Sequence, residues 1–271
     1  MKFLAVLILV FFERNWFGGN PVREVVPFGA YMRFWQERVA APNVRYLLAV
    51  GVPVLVTFFI GVEIRHWFLG LLWLALSVAI LIYAIDLDDI PAEFDEHSAW
   101  LHAPGDGVGL ADAVERQEEF RVDVLTRMFQ SLYPALFWFL FFGPAGALFY
   151  TLSRQYQDRL EDDDPELDLV LQVTYWMEWP VVRVTGLLFA IVGNFGRCFE
   201  TWLSIALDVR ESTGTVLIDL AEAAVDEVPY DHDDLEDFAT ASDVANGTLR
   251  DLMSRTIFGW LGVAALVVIL G

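Results

Sequence analysis

From Leu132 to Leu152 the chain carries no charged residue, reading Leu-Tyr-Pro-Ala-Leu-Phe-Trp-Phe-Leu-Phe-Phe-Gly-Pro-Ala-Gly-Ala-Leu-Phe-Tyr-Thr-Leu. As one helix this run would be about 30 Å long, the thickness of a bilayer core. A segment of that kind restricts the chain to folds in which hydrocarbon, or a large protein core, replaces water around it. Composition decides between the two. Of 271 residues, 56% are hydrophobic and the mean hydropathy is +0.47. That is more apolar than ordinary soluble domains. The reading is therefore an all-α, polytopic integral membrane protein.

Four spans follow from the apolar blocks, at residues 46–62, 67–85, 132–152 and 253–271. Pro53 interrupts the first, which membrane helices tolerate when neighbouring groups satisfy the freed carbonyl. Segments 1–12 and 176–195 are half-inserted candidates. Phe3 to Phe12 is too short to span alone, and Glu13-Arg14-Asn15-Trp16 follows it in place of a small-residue cleavage site, so it reads as retained. Between Arg14 and Arg45 five arginines accompany Val22, Val25, Val26, Phe28, Tyr31, Met32 and Trp35 near helical spacing. This suits an amphipathic helix on the cytoplasmic membrane surface. Thr215 to Val228 places Val216, Leu217, Leu220, Ala221, Ala224, Val225 and Val228 on one helical face, a peripheral amphipathic helix with an acidic outer side. The polar segments are 86–130 and 153–252; the first reads as a loop and then as a helix from Asp112, and Pro229 to Ala245 reads as a mobile acidic loop.

The formal net charge is −21, from 38 acidic and 17 basic residues, which excludes nucleic-acid binding through a phosphate-neutralising surface. The acidic residues concentrate at Asp86–Asp89, Glu161–Asp168 and Asp231–Asp237, expected to form hydrated loop surface. Cys198 is the only cysteine, so no intrachain disulfide forms. Pro104-Gly-Asp-Gly-Val-Gly109 lacks the Gly-Lys-Ser/Thr ending of a phosphate-binding loop. His97 and His102, near Asp95 and Glu96, have no helical ligand spacing and are expected as solvated loop side chains. No metal and no cofactor is expected.

Charge inside the second apolar block is the chemical anomaly. Glu178 and Arg183 flank Pro180, and a charge at membrane depth costs about 2.5–3.5 kcal/mol on insertion scales. Either the segment lies at the interface with Arg183 reaching the headgroups, or the charges mark a polar binding site. Pro180 speaks for a broken or re-entrant element. Arg154 and Asp158 complete the candidate binding set with Glu178 and Arg183.

An ordered set of segments carries a family resemblance: Phe12-Glu13-Arg14, Ala135-Leu-Phe-Trp138, Gly143-Pro-Ala-Gly-Ala-Leu-Phe-Tyr150, and Trp179-Pro-Val-Val-Arg183-Val-Thr-Gly-Leu-Leu-Phe-Ala-Ile-Val-Gly193. In this order they resemble the AmpE family of inner-membrane regulatory signalling modulators, usually encoded beside an amidase of peptidoglycan recycling. That family is similar in turn to the membrane-bound adenosylcobinamide-phosphate synthases of cobalamin biosynthesis. The synthase pattern has acidic and Asn-containing motifs where this chain has Leu125-Thr-Arg-Met-Phe-Gln-Ser131, Arg154-Gln-Tyr-Gln157 and Thr174-Tyr-Trp-Met-Glu178. Most oxygen ligands needed to hold Mg²⁺ near phosphates are thus replaced.

The resemblance implies a non-catalytic, multi-pass protein of the bacterial inner (plasma) membrane that modulates β-lactamase induction and peptidoglycan-recycling signalling. Its implied partners are the lipid bilayer, an amphiphilic small molecule and a membrane or cytosolic protein, with a homo-oligomer left open. The alternative is a divergent amide-forming enzyme that uses Glu178, Asp158 and Arg183.

Overall fold

A computed structural model describes residues 2–13, 28–65, 70–84, 90–105 and 107–270. Among them all regular structure is helical: α1 (Lys2–Glu13), α2 (Phe28–Arg38), α3 (Pro42–Ile64), α4 (Leu71–Ala84), α5 (Ile90–His102), α6 (Leu110–Phe142), α7 (Pro144–Gln157), α8 (Leu167–Val192), α9 (Phe195–Ile205), α10 (Thr213–Ala224) and α11 (Leu235–Leu270). The expectations for Arg14, Val22, Arg23, Val25, Val26, His66 and Asp86–Asp89, and for the ends of the 67–85 span, fall outside the described residues.

The chain forms two compact units. One comprises Met1–Asp86, Gln130–Val181 and Leu261–Gly271; the other comprises Leu87–Phe129 and Val182–Trp260. Helices α6, α8 and α11 contribute residues to both.

In the first unit, buried Phe28 and Met32 of α2 join Tyr46, Ala49 and Val50 of α3, Tyr83 of α4, Leu152 and Tyr156 of α7 and Val170 of α8. Apolar spacing on α2 and α3 supplies this core, and one cation holds the elbow between them. Arg45 donates to the Val39 and Ala40 carbonyls at 2.7 and 3.3 Å. Along α3 the other side stays open, with Leu47, Leu55, Val56, Phe58, Phe59 and Val62 exposed.

In the second unit, Leu101 of α5, Ala113 of α6 and Phe238 and Ala239 of α11 form a small core. Val216, Leu217, Leu220, Ala221 and Ala224 of α10 are buried, as the amphipathic pattern predicts, but the helix ends at Ala224, where Val225 turns to extended backbone, so Val225 and Val228 are not part of its face. Glu222, on its polar side, pairs with Arg121 at 3.0 Å.

Two described helices, Pro42–Ile64 and Leu167–Val192, are long and apolar enough to cross a membrane, against the four spans expected. The 46–62 block is inside the first of them. Helix α4 has 14 residues, and residues 253–270 of the last block are the end of the longer α11, with Gly271 outside the described residues.

The uncharged run from Leu132 to Leu152, expected as one helix, is broken. Gly143 turns into the left-handed region at φ 68°, and Pro144, without an N–H to offer, opens α7. The chain then doubles back: a Cβ on Gly146 would stand 2.4 Å from the Trp138 carbonyl oxygen, so only glycine permits this approach. Pro180 has the opposite outcome from that expected. Helix α8 runs through it unbroken. The Met177 carbonyl, in the turn before the proline, accepts the Trp138 indole N–H at 3.1 Å, a bond that ties α8 to α6 at this point.

Two segments expected as loops are helical. Asp234 caps α11, its Oδ1 accepting from the backbone N–H groups of Glu236 and Asp237 at 2.9 and 3.3 Å, so part of the acidic 229–245 run is a helix start. His97 lies on α5, buried, and is not a solvated loop residue.

Candidate functional site

Glu178 is the only carboxylate in the stretch Leu169–Gly193, and its place on α8 is set by the α6–α7 hairpin. Because α7 returns along α6, Tyr150 and Gln130 come to the same point although they are 20 residues apart in the chain. Tyr150 Oη donates to Glu178 Oε1 at 2.9 Å, and Gln130 Nε2 donates to the same oxygen at 3.0 Å. Glu178 is 4% exposed and Tyr150 1%. Charge-assisted bonds of this kind offset the cost of removing a carboxylate from water.

Arg154 and Asp158 follow Tyr150 at successive four-residue steps, so all three share one face of the helix and its cap. Arg154 Nη2 lies 3.1 Å from Asp158 Oδ1, with both side chains partly exposed. Such a pair adds only about 0.3–0.5 kcal/mol. A row of phenol, guanidinium and carboxylate thus runs from the buried Glu178 toward the exposed end of α7.

Arg183 belongs to the second unit, where it meets the turn after α9. Its Nη2 donates to the Asp208 carbonyl at 2.5 Å and the Ile205 carbonyl at 3.4 Å. A cation there complements the carbonyl end of α9. Arg183's own carbonyl accepts from Trp202 Nε1 at 2.8 Å.

Sequence reasoning missed three polar groups. Tyr150 and Gln130 were legible only as uncharged polar residues in apolar surroundings. Glu166, inside the run expected to be hydrated, is fully buried; it accepts from Tyr156 Oη at 3.1 Å and lies 3.5 Å from Arg45 Nη1. In the second unit His97 Nε2 meets Gln117 Oε1 at 2.6 Å, and Gln117 Nε2 donates to Asn246 Oδ1 at 2.7 Å. Since Gln117 presents its oxygen, His97 donates from Nε2. Burial lowers the His97 pKa, a shift that the Gln117 bond opposes. His102 pairs with Asp243 at 2.8 Å. Among the described residues no group of three or more His, Cys, Asp or Glu is placed to hold a metal ion.

Among the described residues, these features define an all-helical protein with two helices long and apolar enough to cross a membrane and a buried, hydrogen-bonded carboxylate on one of them. Residues 89–253 match the family model described as regulatory signalling modulator protein AmpE. That is more than half of the chain, and the chain belongs to the AmpE family. Comparison with curated proteins and with solved structures gave no match.

Proposed function

We propose that this protein is a plasma-membrane regulator that modulates signalling between peptidoglycan recycling and β-lactamase induction. The observation that carries this reading is membership of the signalling-modulator family across residues 89–253. Placement in a membrane is supported by α3, whose exposed side is aliphatic and aromatic through Leu47, Leu55, Val56, Phe58 and Phe59.

The ligand side of the proposal centres on Glu178. A buried carboxylate held by neutral donors, with Arg154 and Asp158 one and two turns beyond Tyr150, suits an amphiphile with a polar head, such as a muropeptide. Arg183 enters as the residue that holds the turn after α9.

Deleting the gene and measuring induced β-lactamase and tolerance to several cell-wall antibiotics tests the regulatory role; an unchanged phenotype in all of them overturns it. Small molecules copurifying with gently solubilised protein, but lost from Glu178→Gln, test the ligand site. A copurified corrinoid, or amide formation from an amino-alcohol phosphate and a corrinoid carboxylate, would transfer the assignment to the amide-forming alternative.

A further inference from the structure

Helix α9 has three sides. Its buried side carries Cys198, whose thiol approaches the Gly186 and Leu220 carbonyls at 3.6 and 3.4 Å. Its polar side carries Arg197, Glu200 and Ser204, all exposed. Between them runs an apolar stripe in which Phe195 is 57% and Leu203 59% exposed, with Phe199 partly so. The rings of Phe195, Phe199 and Trp202 stack in sequence, with centroids 5.2 and 5.9 Å apart. Ile191 at the end of α8 and Leu207 beyond α9 are also exposed, at 68% and 85%.

The path of the chain explains why this stripe is not covered from within. Gly193 and Asn194 alone separate α8 from α9, and Trp202 reaches back to the Arg183 carbonyl, so α9 returns along the last turns of α8. Both helix ends are satisfied internally. The Asn194 side chain accepts from Arg197 N, and Arg183 takes the Ile205 and Asp208 carbonyls. A helix leaving bulk water needs such partners for its terminal groups.

We propose that the Phe195–Phe199–Leu203 stripe lies in the boundary between lipid headgroups and acyl chains, making α9 an interfacial foot of the second unit. This rests on the membrane placement proposed above. Hydrocarbon fits the stripe because no charge interrupts it and because it continues from a helix itself long and apolar enough to cross a membrane. A second copy of the chain fits less well, since a formal charge of −21 sets two copies against each other. Arg197, the cation on the polar side, is paired with Asp226 at 2.9 Å. The foot therefore needs no anionic lipid.

The test uses the full chain in phosphatidylcholine vesicles, with and without phosphatidylglycerol. Leu203→Cys, Ser204→Cys and Phe59→Cys each carry a fluorophore; Cys198 stays unlabelled at neutral pH because burial pushes its thiol up to about 11. The position 203 label should be quenched severalfold by a shallow lipid nitroxide and shielded from aqueous iodide, equally in both lipids. The position 204 label should remain open to iodide, and the position 59 label should respond to a deep nitroxide.

If position 203 is as open to iodide as 204 while 59 is quenched from deep lipid, the foot is refuted and the membrane placement stands. Shielding at 203 without nitroxide quenching, varying with protein density, would assign the stripe to a second copy and refute the proposal. Iodide quenching at 59 would refute the membrane placement and the foot with it.

Discussion

Tyr150 and Gln130 donate to one and the same oxygen of Glu178, Oε1. Tyr150→Phe removes the phenol donor and leaves the ring in place. It should destabilise the protein by about 1–3 kcal/mol, the cost of underserving a buried acceptor. Thermal unfolding in detergent of Tyr150→Phe, Glu178→Gln and the double variant gives the coupling. Strictly additive effects would show that the bond contributes nothing.

Gly146→Ala should cost about 1–3 kcal/mol, because the added methyl meets the Trp138 carbonyl oxygen at 2.4 Å and Phe142 Cβ at 2.8 Å. A methyl on Gly247, within α11, would meet nothing inside 4 Å, so Gly247→Ala should stabilise by about 1 kcal/mol through helix propensity. Opposite shifts in melting temperature are the expected result.

Arg45→Ala leaves the buried Glu166 carboxylate without the guanidinium 3.5 Å away and frees the elbow between α2 and α3. The loss should reach about 3–5 kcal/mol, as for other buried pairs broken on one side. Adding Glu166→Gln should recover part of it. Equal melting temperatures for the single and double variants would place the whole effect in the elbow.

His97 supplies a pH dependence. Its folded pKa is lowered, chiefly by burial, with Arg116 acting in the same direction and the Gln117 bond and Asp243 opposing it. The fold therefore favours the neutral ring. Its contribution is fully present above the unfolded value of about 6.5 and declines as pH falls below that. Melting temperatures of wild type and His97→Gln between pH 8 and 5 should show a steeper acid decline in the wild type; parallel curves would contradict this.

The helical class of this protein was legible because apolar blocks and amphipathic spacing are local properties, as Val216 to Ala224 on α10 show. What was illegible depended on distant partners. Nothing in the run Glu161–Asp168 marks Glu166 as the member that burial selects; Arg45 and Tyr156 do that, the former from 121 positions away. Pro180 suggested a broken helix because its missing N–H is a local property, whereas α8 runs through it. Glu178 stood out as a charge among apolar residues, but its Tyr150 and Gln130 partners needed the hairpin. The glycine and proline that make that hairpin, Gly143 and Pro144, were in view and were outweighed by the absence of charge around them.

That hairpin also changes how often the polypeptide changes sides. A straight rod from Leu132 to Leu152 would deliver its two ends to opposite compartments. Folded at Gly143, with α7 only 14 residues long and so about 21 Å against a hydrocarbon thickness of about 30 Å, the run would deliver both ends to the same compartment in the membrane placement proposed above. Reporters fused at Ser131 and Leu160 should then share their sidedness; opposite sidedness would contradict this reading of the hairpin.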